Sequence, residues 1–455
     1  MSFRRALGRF DTVMVVVGGI IGAGIFINPY IVAQRLDSPA LVLAAWLAGG
    51  VVALCGALTF AELGALFPQA GGHYAYLRDA YHPLAGFLYG WALLLMIEGG
   101  AIAAVAITFA EYTLRLWGRT GGATSIAVAG IVVVAAVNYL GVKPGSRVLN
   151  TFVVLKLVPL GLLIGAGLLL STAGAPGTGA GAAAAASGGV PSAPLLLFAF
   201  GAALIPVMFT YGGWQNANYV AEEMKDPVRD LPASLLIGTA LVVLTYGLVN
   251  LAYLKTLGHD GLAATMTPAA DAGHALFGDV GNFLVTLGIA VSTFGFLNLT
   301  MLAPTRVYYA MARDGLFPPA VARLHPRFDT PSRAILIQTV WAVALTLTGS
   351  YAQLVDYVVS ADWVFFGLAG ASLFVFRRKV PLGTRPPGTF RAPGYPFVPA
   401  LFVAVALLIV GSVIHANPLR SAAGYALLLT GVPAFVYWRR RASSRPSGIH
   451  EHSAE

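Results

Sequence analysis

Long apolar runs alternate with short polar segments along almost the whole chain. Twelve of these runs are long enough to cross a membrane, and they cover 11–35, 40–66, 83–113, 124–141, 148–171, 194–222, 232–257, 280–312, 333–349, 352–376, 396–415 and 420–438. A helical span needs about 20 mostly apolar residues, whereas the strands of a transmembrane barrel are alternating segments of about 10. The pattern therefore predicts an all-α polytopic membrane protein with about twelve transmembrane helices.

Two of the predicted spans carry glycines where a helix is expected to break. The first span holds four within seven residues, at Gly18, Gly19, Gly22 and Gly24. Each glycine costs about 1 kcal/mol relative to alanine in a helix, although close helix packing would also explain this span alone. The sixth span carries Pro206 and then Phe-Thr-Tyr-Gly-Gly-Trp-Gln-Asn at 209–216. Interruptions five spans apart predict two inverted five-helix repeats with a transport site at the breaks.

This pattern divides the chain into segments of different kinds. We predict a cytoplasmic N-terminus at 1–10, a first repeat at 11–171, an extracellular Gly- and Ala-rich loop at 172–193, a second repeat at 194–376, a cytoplasmic basic loop at 377–395, two C-terminal helices within 396–438 and a cytoplasmic tail at 439–455. The predicted fold is thus a five-plus-five inverted repeat, with helices 1 and 6 broken, followed by two further helices.

Composition agrees with a membrane protein. Of 455 residues, 57% are hydrophobic and only 10% are charged, whereas a soluble domain carries about 25% charged residues. A soluble core of this size could not keep so much apolar surface away from water. We therefore exclude a soluble enzyme, a nucleic-acid binder and a disordered scaffold, and we expect the lipid bilayer to surround the chain.

The net charge of +9 indicates how the chain is oriented. With the N-terminus placed inside the cell, 22 of the 28 lysines and arginines fall in inner segments, 5 in outer segments and one, Lys156, within the fifth span. An excess of basic residues marks the cytoplasmic side of membrane proteins. We predict a multi-pass protein of the inner, cytoplasmic membrane with both termini in the cytoplasm.

A helix that unwinds within a membrane offers backbone groups to a ligand. The break leaves N–H groups free on one half and C=O groups free on the other. The N–H groups attract an anion, helped by the helix dipole, and the carbonyls attract a cation. A free amino acid carries both charges, so it is the simplest ligand for such a site.

Four segments of the chain resemble a known family. They are GGIIGAGIFINP at 18–29, FAELGALFPQAGGHYAYLRDAYHPLAGFLYGW at 60–91, TYGGWQNANYVAEEMKDPVRDLP at 210–232 and LTYGLVNLAYLKTL at 244–257. The first is similar to the first-helix signature of the amino acid–polyamine–organocation transporters. The others resemble the L-type amino acid transporter branch of that superfamily, and the similarity spans nearly the whole chain.

The resemblance implies a role for particular residues. It implies that the substrate carboxylate binds backbone N–H groups around Gly22, Ala23 and Gly24, and that the ammonium binds the carbonyls of Ile20, Phe209 and Gly212. The side-chain pocket and the outer gate are expected at Tyr211, Gly213, Trp214 and Gln215, with Ser292 and Thr293 nearby. Tyr246 matches a family tyrosine near the site.

Lys156 lies within the fifth span, where an ionisable group without a partner costs at least about 2.5–3.5 kcal/mol. One interpretation is that its side chain snorkels to the inner interface. The resemblance favours another, in which the ammonium replaces a sodium ion and pins the unwound first helix. Proton coupling through Lys156 stays open.

Glu98 departs from the family pattern, because many L-type relatives carry Arg-Pro at this place in the third span. It is either a structural, protonated or hydrogen-bonded carboxyl, or a group that faces the pocket and favours a cationic side chain or carries a proton. Among the other acids, Glu62 is expected to pack or hydrogen-bond. Glu222 and Glu223 are interpreted first as part of a solvated loop and second as a cytoplasmic gate.

We therefore predict a sodium-independent permease or exchanger that moves L-amino acids, neutral ones in particular, by alternating access. The alternative is a proton-coupled or cationic amino acid or polyamine transporter that uses Glu98 and Lys156. A channel or a membrane enzyme is disfavoured, since neither a ring of acids nor a catalytic or phosphate-loop motif is present.

We expect no metal ion and no cofactor. Cys55 is the single cysteine of the chain, and the outer loop 114–123 contains none. The resemblance implies a disulfide-linked heavy chain only for animal members that carry a cysteine there. The sequence predicts a prokaryotic homologue that acts without such a partner, as a monomer or weak oligomer.

Overall fold

The computed structural model of the chain describes residues 3–119, 121–171, 193–348, 351–380, 385, 388–416 and 418–443. Within these ranges the regular structure is helical, and strand pairing is limited to one parallel bridge between Leu7 and Met224. Seven of the described helices are long and apolar enough to cross a membrane, and two shorter apolar helices accompany them. This confirms the predicted all-α polytopic class.

The helices of the first half follow one another with short connections. They are α1 Arg9–Ile20, α2 Gly24–Ile27, α3 Pro29–Arg35, α4 Pro39–Leu66, α5 His73–Ala80, α6 Pro83–Ala92, α7 Glu98–Leu116, α8 Ala123–Tyr139 and α9 Val142–Leu169. A π-helix at Leu93–Ile97 joins α6 to α7, and together they form one continuous helix of 34 residues, Pro83–Leu116. Such π turns are frequent at functional sites, and here Glu98 follows the turn directly.

The second half continues in the same way. Its helices are α10 Ala193–Tyr211, α11 Asn216–Tyr219, α12 Pro227–Ala264, α13 Pro268–Leu302, α14 Thr305–Arg313, α15 Ser332–Thr348, α16 Tyr351–Lys379, α17 Phe397–Ala416, α18 Pro418–Leu429 and α19 Gly431–Ser443. Single 3₁₀ turns lie at Ala221–Glu223 and Pro319–Ala322. The backbone leaves the helical region at Gly258 in α12 and at Gly278 in α13, so each of these helices is kinked there.

Three long helices begin with the same type of N-terminal cap. The side chains of Ser38, His82 and Asp226 each accept a hydrogen bond from a backbone N–H in the first turn of the helix that follows, and the next residue in each case is proline. A capping side chain satisfies an otherwise unpaired N–H, and proline at the first position has no N–H to satisfy. These short motifs fix where α4, α6 and α12 start.

The helix that carries the first break lies inside the bundle. α1 packs against α9, α11, α12 and α13, and α12 runs along α4 while α13 runs along α7 and α9. Large apolar side chains are exposed on the outside, for example Leu169, Leu408 and Leu419. Apolar residues that face outward over many helices fit a chain surrounded by lipid.

The predicted segment boundaries stay predictions. Residues 172–192 of the predicted outer loop and 444–455 of the predicted tail lie outside the described residues.

Candidate functional site

Both predicted helix breaks are present. α1 ends at Ile20, Ile21 has the extended angles φ −77° and ψ 91°, and α2 begins at Gly24. In the sixth span α10 ends at Tyr211 and α11 begins at Asn216. The glycine-rich segments therefore interrupt these helices, and close helix packing alone does not explain them.

The two breaks cross each other backbone to backbone. A Cβ atom placed on Gly213 would lie 2.0 Å from the carbonyl oxygen of Gly19, and one placed on Gly19 would lie 2.4 Å from the carbonyl oxygen of Gly213. Gly213 also has φ of +112°, a conformation that L-amino acids with a side chain rarely adopt. Only glycine allows this approach, which explains why the sequence has glycine at both positions.

Side chains next to the second break satisfy its backbone. The Gln215 Oε1 atom accepts a hydrogen bond from the Gly213 N–H at 2.8 Å, and the Asn216 Nδ2 atom donates to the Gly213 carbonyl at 3.0 Å. Asn28, just after the first break, donates through Nδ2 to the Thr210 hydroxyl at 2.7 Å and so ties the two broken helices together. Asn28 and Asn216 were missed in the sequence, although both belong to the quoted motifs.

Lys156 reaches the first break from α9. Its side chain is completely buried, and Nζ donates to the carbonyl oxygen of Gly18 at 3.2 Å and to that of Ile21. The Tyr246 hydroxyl donates to the Ile20 carbonyl at 3.0 Å, and the Ser292 hydroxyl lies 3.5 Å from the Ile21 carbonyl. The carbonyls at the end of α1 thus find donors from three other helices, and the Lys156 ammonium does not snorkel to an interface.

A cavity of about 150 Å³ lies where the two breaks meet α7 and α16. Its walls include nine of the predicted site residues, namely Ile20, Gly22, Ala23, Gly24, Glu98, Phe209, Gly212, Gly213 and Gln215. At roughly 15 Å³ for each water-sized position, this volume accommodates on the order of ten waters, which is the scale of a free amino acid.

Six other predicted residues lie beside the cavity and not in its wall. Lys156, Tyr246 and Ser292 act on the backbone of α1, as described above, and Thr293 donates to the Ile289 carbonyl of its own helix. The Tyr211 ring packs 5.0 Å from that of Tyr246. Trp214 stacks at 5.5 Å on Phe366, which does line the cavity, so its ring supports the wall from behind.

One charged residue of the cavity was not predicted from the sequence. Asp362 of α16 lines it together with Glu98 of α7. Glu98 is 5% exposed, and its Oε2 atom is buried without a hydrogen-bond partner. The signal for Asp362 was available, because it is an acidic residue inside the predicted span 352–376, and the rule that singled out Glu98 applies to it equally.

The end of the bundle that holds the N-terminus is closed by hydrogen bonds and ion pairs. The backbone N–H groups of Ala6 and Leu7 donate to the Glu223 carbonyl at 2.8 and 3.0 Å. The Glu223 carboxylate binds Arg306 Nε at 2.6 Å, with both side chains almost fully buried, and Arg9 pairs with Asp230 at 2.9 Å. The expectation of a solvated loop is therefore wrong for Glu223.

Glu62 also takes a structural position, as expected. Its carboxylate accepts hydrogen bonds from Arg377 at 2.6 Å, from Arg385 at 2.8 Å and from the backbone N–H of Ala392 at 2.8 Å. These bonds fasten the segment after α16 to the inside of α4.

Outside the predicted membrane spans, a histidine lies between two tyrosines at the same end. His73 Nδ1 lies 3.1 Å from the hydroxyls of both Tyr89 and Tyr219. Burial lowers the pKa of His73 to about 3, so the ring is neutral at physiological pH. His73 is therefore a hydrogen-bonding group of the packed end and not a fixed positive charge.

Comparison with known proteins agrees with this architecture. A family model described as amino acid permease matches residues 7–435. The chain belongs to the amino acid permease family. Members of the family are transporters, so the chain is a multi-pass membrane transporter and not an enzyme, as the sequence predicted.

Three relatives of this permease are similar to it over most of their length. The human cystine/glutamate transporter is 31% identical, with 97% of this chain and 87% of the relative covered. The mouse large neutral amino acids transporter small subunit 2 is also 31% identical, with 97% and 83% covered. The serine/threonine exchanger of Bacillus subtilis is 29% identical, with 97% and 99% covered. The resemblance to the L-type branch is thereby confirmed.

Proposed function

We propose that this permease is a sodium-independent secondary transporter that moves L-amino acids across the cytoplasmic membrane by alternating access. The observation that carries the proposal is the cavity at the two crossing helix breaks, whose wall includes Gly22, Ala23 and Gly24 of the first break and Gly212 and Gly213 of the second. The three relatives are named for amino acid transport or exchange, which supports the substrate class.

The hydrogen bonds at the breaks support a narrower proposal for the backbone groups that bind the substrate. The Gly22 N–H already donates to the Ile20 carbonyl at 2.9 Å, so we expect the Ala23 and Gly24 N–H groups to bind most of the carboxylate. The Ile20 carbonyl accepts from both Gly22 and Tyr246. A carbonyl oxygen has two lone pairs, so we expect the substrate ammonium at Phe209 and Gly212 instead.

Lys156 supports the proposed independence from sodium. Its ammonium contacts two carbonyl oxygens at the break of helix 1. A metal cation bound at the same oxygens would lie next to this positive charge, and like charges in a medium of low dielectric constant repel strongly. A fixed cation that belongs to the chain makes a second, exchangeable one unnecessary.

The side-chain preference is set by the rest of the cavity wall, since every L-amino acid shares the carboxylate and ammonium. The neutral-substrate prediction rests on apolar lining such as Val105, Phe296 and Trp363. The cationic or polyamine alternative rests on Glu98, which lies in the same wall.

We further propose that the closed end with the N-terminus faces the cytoplasm, in line with the basic residues, and that no partner is linked by a disulfide. One relative is named as a small subunit. In this chain the single cysteine, Cys55, lies in α4 and is 7% exposed. A non-reducing gel of the protein from its native membrane should show one band at the monomer position, and a larger, thiol-sensitive band would contradict the proposal.

Counterflow in proteoliposomes tests the function. Vesicles that hold the purified protein are loaded with a mixture of unlabelled amino acids, and entry of each labelled amino acid is measured in sodium and in potassium buffer. We expect saturable uptake that internal amino acids stimulate and that sodium does not change. A channel would show no counterflow. Absence of uptake for all twenty amino acids, relative to empty vesicles, would refute the proposal.

A further inference from the structure

Two carboxylates share the cavity wall on helices other than the broken ones. Glu98 stands at the start of α7, directly after the π-helix, and Asp362 lies in α16. Glu98 is almost completely buried, whereas Asp362 is partly exposed within the cavity. The pair therefore occupies a wall that is separate from the backbone groups proposed to bind the substrate carboxylate and ammonium.

In the part of the chain that the structure describes, no positive side chain pairs with these acids. Among the ion pairs of the described ranges, none includes Glu98 or Asp362. The Glu98 Oε2 atom has no hydrogen-bond partner. Lys156, the buried lysine of α9, donates instead to the backbone carbonyls of Gly18 and Ile21. A buried charge without a partner is costly, so this wall needs either a cation or a proton on one of the acids.

The neighbouring polar groups do not supply that charge. Buried tyrosine hydroxyls interact electrostatically with these acids: Tyr89 in α6 and Tyr219 in α11 with both, and Tyr308 in α14 with Glu98. Tyrosine hydroxyls are neutral at physiological pH. They can donate hydrogen bonds to a carboxylate, but they cannot balance its charge.

A resident metal ion does not fit the pair. No group of three or more histidine, cysteine or acidic side chains comes together in the part of the chain that the structure describes. Magnesium needs six ligands and calcium six to eight, mostly oxygen atoms. Two carboxylates on facing helices suit a single organic cation better, since an ammonium or guanidinium brings several N–H donors of its own.

We propose that Glu98 and Asp362 form the side-chain subsite of this permease and select amino acids with a basic side chain, such as lysine, ornithine or arginine. This inference rests on the proposed amino acid transport and deepens it. With the substrate's α-carboxylate and α-ammonium at the helix breaks, its side chain extends toward α7 and α16. With a proton on one of the two acids, the pair carries a single negative charge, which the side-chain cation balances.

Binding and uptake of labelled lysine and leucine test the subsite. Both are measured for the wild type and for the isosteric variants Glu98→Gln and Asp362→Asn, first in detergent by equilibrium binding and then in proteoliposomes. We expect the wild type to bind lysine, and each variant to lower the ratio of lysine to leucine affinity at least tenfold. Glu111→Gln, which changes an exposed acid of the same helix, should leave the ratio unchanged.

The possible contrary results separate this inference from the proposed function. Leucine binding without lysine binding in the wild type, or an unchanged ratio in both variants, would overturn the subsite and leave amino acid transport intact. The same holds if neutral uptake depends on a proton gradient and loses that dependence in Glu98→Gln, since the pair would then carry only a proton. A wild type that binds and transports no amino acid would overturn both proposals. Melting curves of each variant confirm that it is folded.

Discussion

Replacing Lys156 by methionine removes the ammonium at the first helix break and keeps an unbranched side chain of similar length. In the wild type Nζ donates to the carbonyl oxygens of Gly18 and Ile21 from a completely buried position. A matched control is available in Lys255, whose Nζ donates to the Leu168 carbonyl at 2.5 Å but whose side chain is exposed.

Two opposing free-energy contributions decide the effect of Lys156→Met on stability. A hydrogen bond to a charged group contributes about 1.5–3 kcal/mol, so the loss of two costs roughly 3–6 kcal/mol. Removing the ammonium also removes its desolvation cost, which is several kcal/mol for a buried ion. The terms are of similar size, so we expect the free energy of unfolding to change by no more than about 2 kcal/mol.

Transport should respond much more strongly than stability. The lost bonds all fall on the two carbonyls at the end of α1, and these carbonyls fix the shape of the break next to the cavity. We expect initial uptake in proteoliposomes to fall at least tenfold, which corresponds to about 1.4 kcal/mol. Lys255→Met should keep wild-type uptake.

The assay pairs uptake of a labelled amino acid with the melting temperature of the same purified protein. Wild-type uptake by folded Lys156→Met would refute the assignment of Lys156 to the break. A large drop in melting temperature that accounts for the lost uptake would show that the residue acts on folding as a whole. The variant Lys156→Arg keeps the charge but has a planar head group, and full activity in it would show that charge alone suffices.

Three further predictions concern the breaks and the closed end. Gly213→Ala should destabilise the protein by at least about 2 kcal/mol and lower the melting temperature. Gly201→Ala in α10, where a Cβ meets nothing within 4 Å, should do neither, and equal melting curves would disprove the backbone crossing. Tyr246→Phe removes one hydrogen bond to α1, worth about 1 kcal/mol. It should reduce uptake about fivefold and lower the melting temperature by no more than about 2–4 °C; unchanged uptake would count against it. Glu223→Gln leaves Arg306 buried without its counter-charge, so the free energy of unfolding measured with denaturant should fall by about 3 kcal/mol. Adding Arg306→Met should restore part of that stability, and no recovery would argue against a coupled pair.

The sequence was sufficient to locate the breaks because their cause is local. Glycines at 18, 19, 22 and 24, and the Gly-Gly pair at 212–213, weaken a helix wherever it is placed. The position of Lys156 was also visible, since a charge inside an apolar run stands out. Its bonds to Gly18 and Ile21 could only be expected through the family resemblance, because they join residues far apart in the chain.

The orientation of side chains could not be predicted in the same way. Tyr211 and Trp214 flank the Gly-Gly pair, yet both turn into aromatic packing beside the cavity, since a break changes the direction of the residues that follow it. The partnership of Glu98 with Asp362 depends on how α7 faces α16, which no spacing within one helix reveals. Glu223 was assigned to a loop from its charged neighbours, and its burial comes from Arg306 and the N-terminal segment.

The contact between Gly19 and Gly213 has a consequence for how such a carrier can diversify. The atoms that meet there, and those proposed to bind the part common to all amino acids, belong to the main chain, so point mutations hardly change their chemistry. The wall that carries Glu98 and Asp362 is made of side chains, so single amino-acid substitutions can change its chemistry. A change of substrate therefore requires no change in these main-chain groups, and altered specificity in this chain should map to α7 and α16 before it maps to the broken helices.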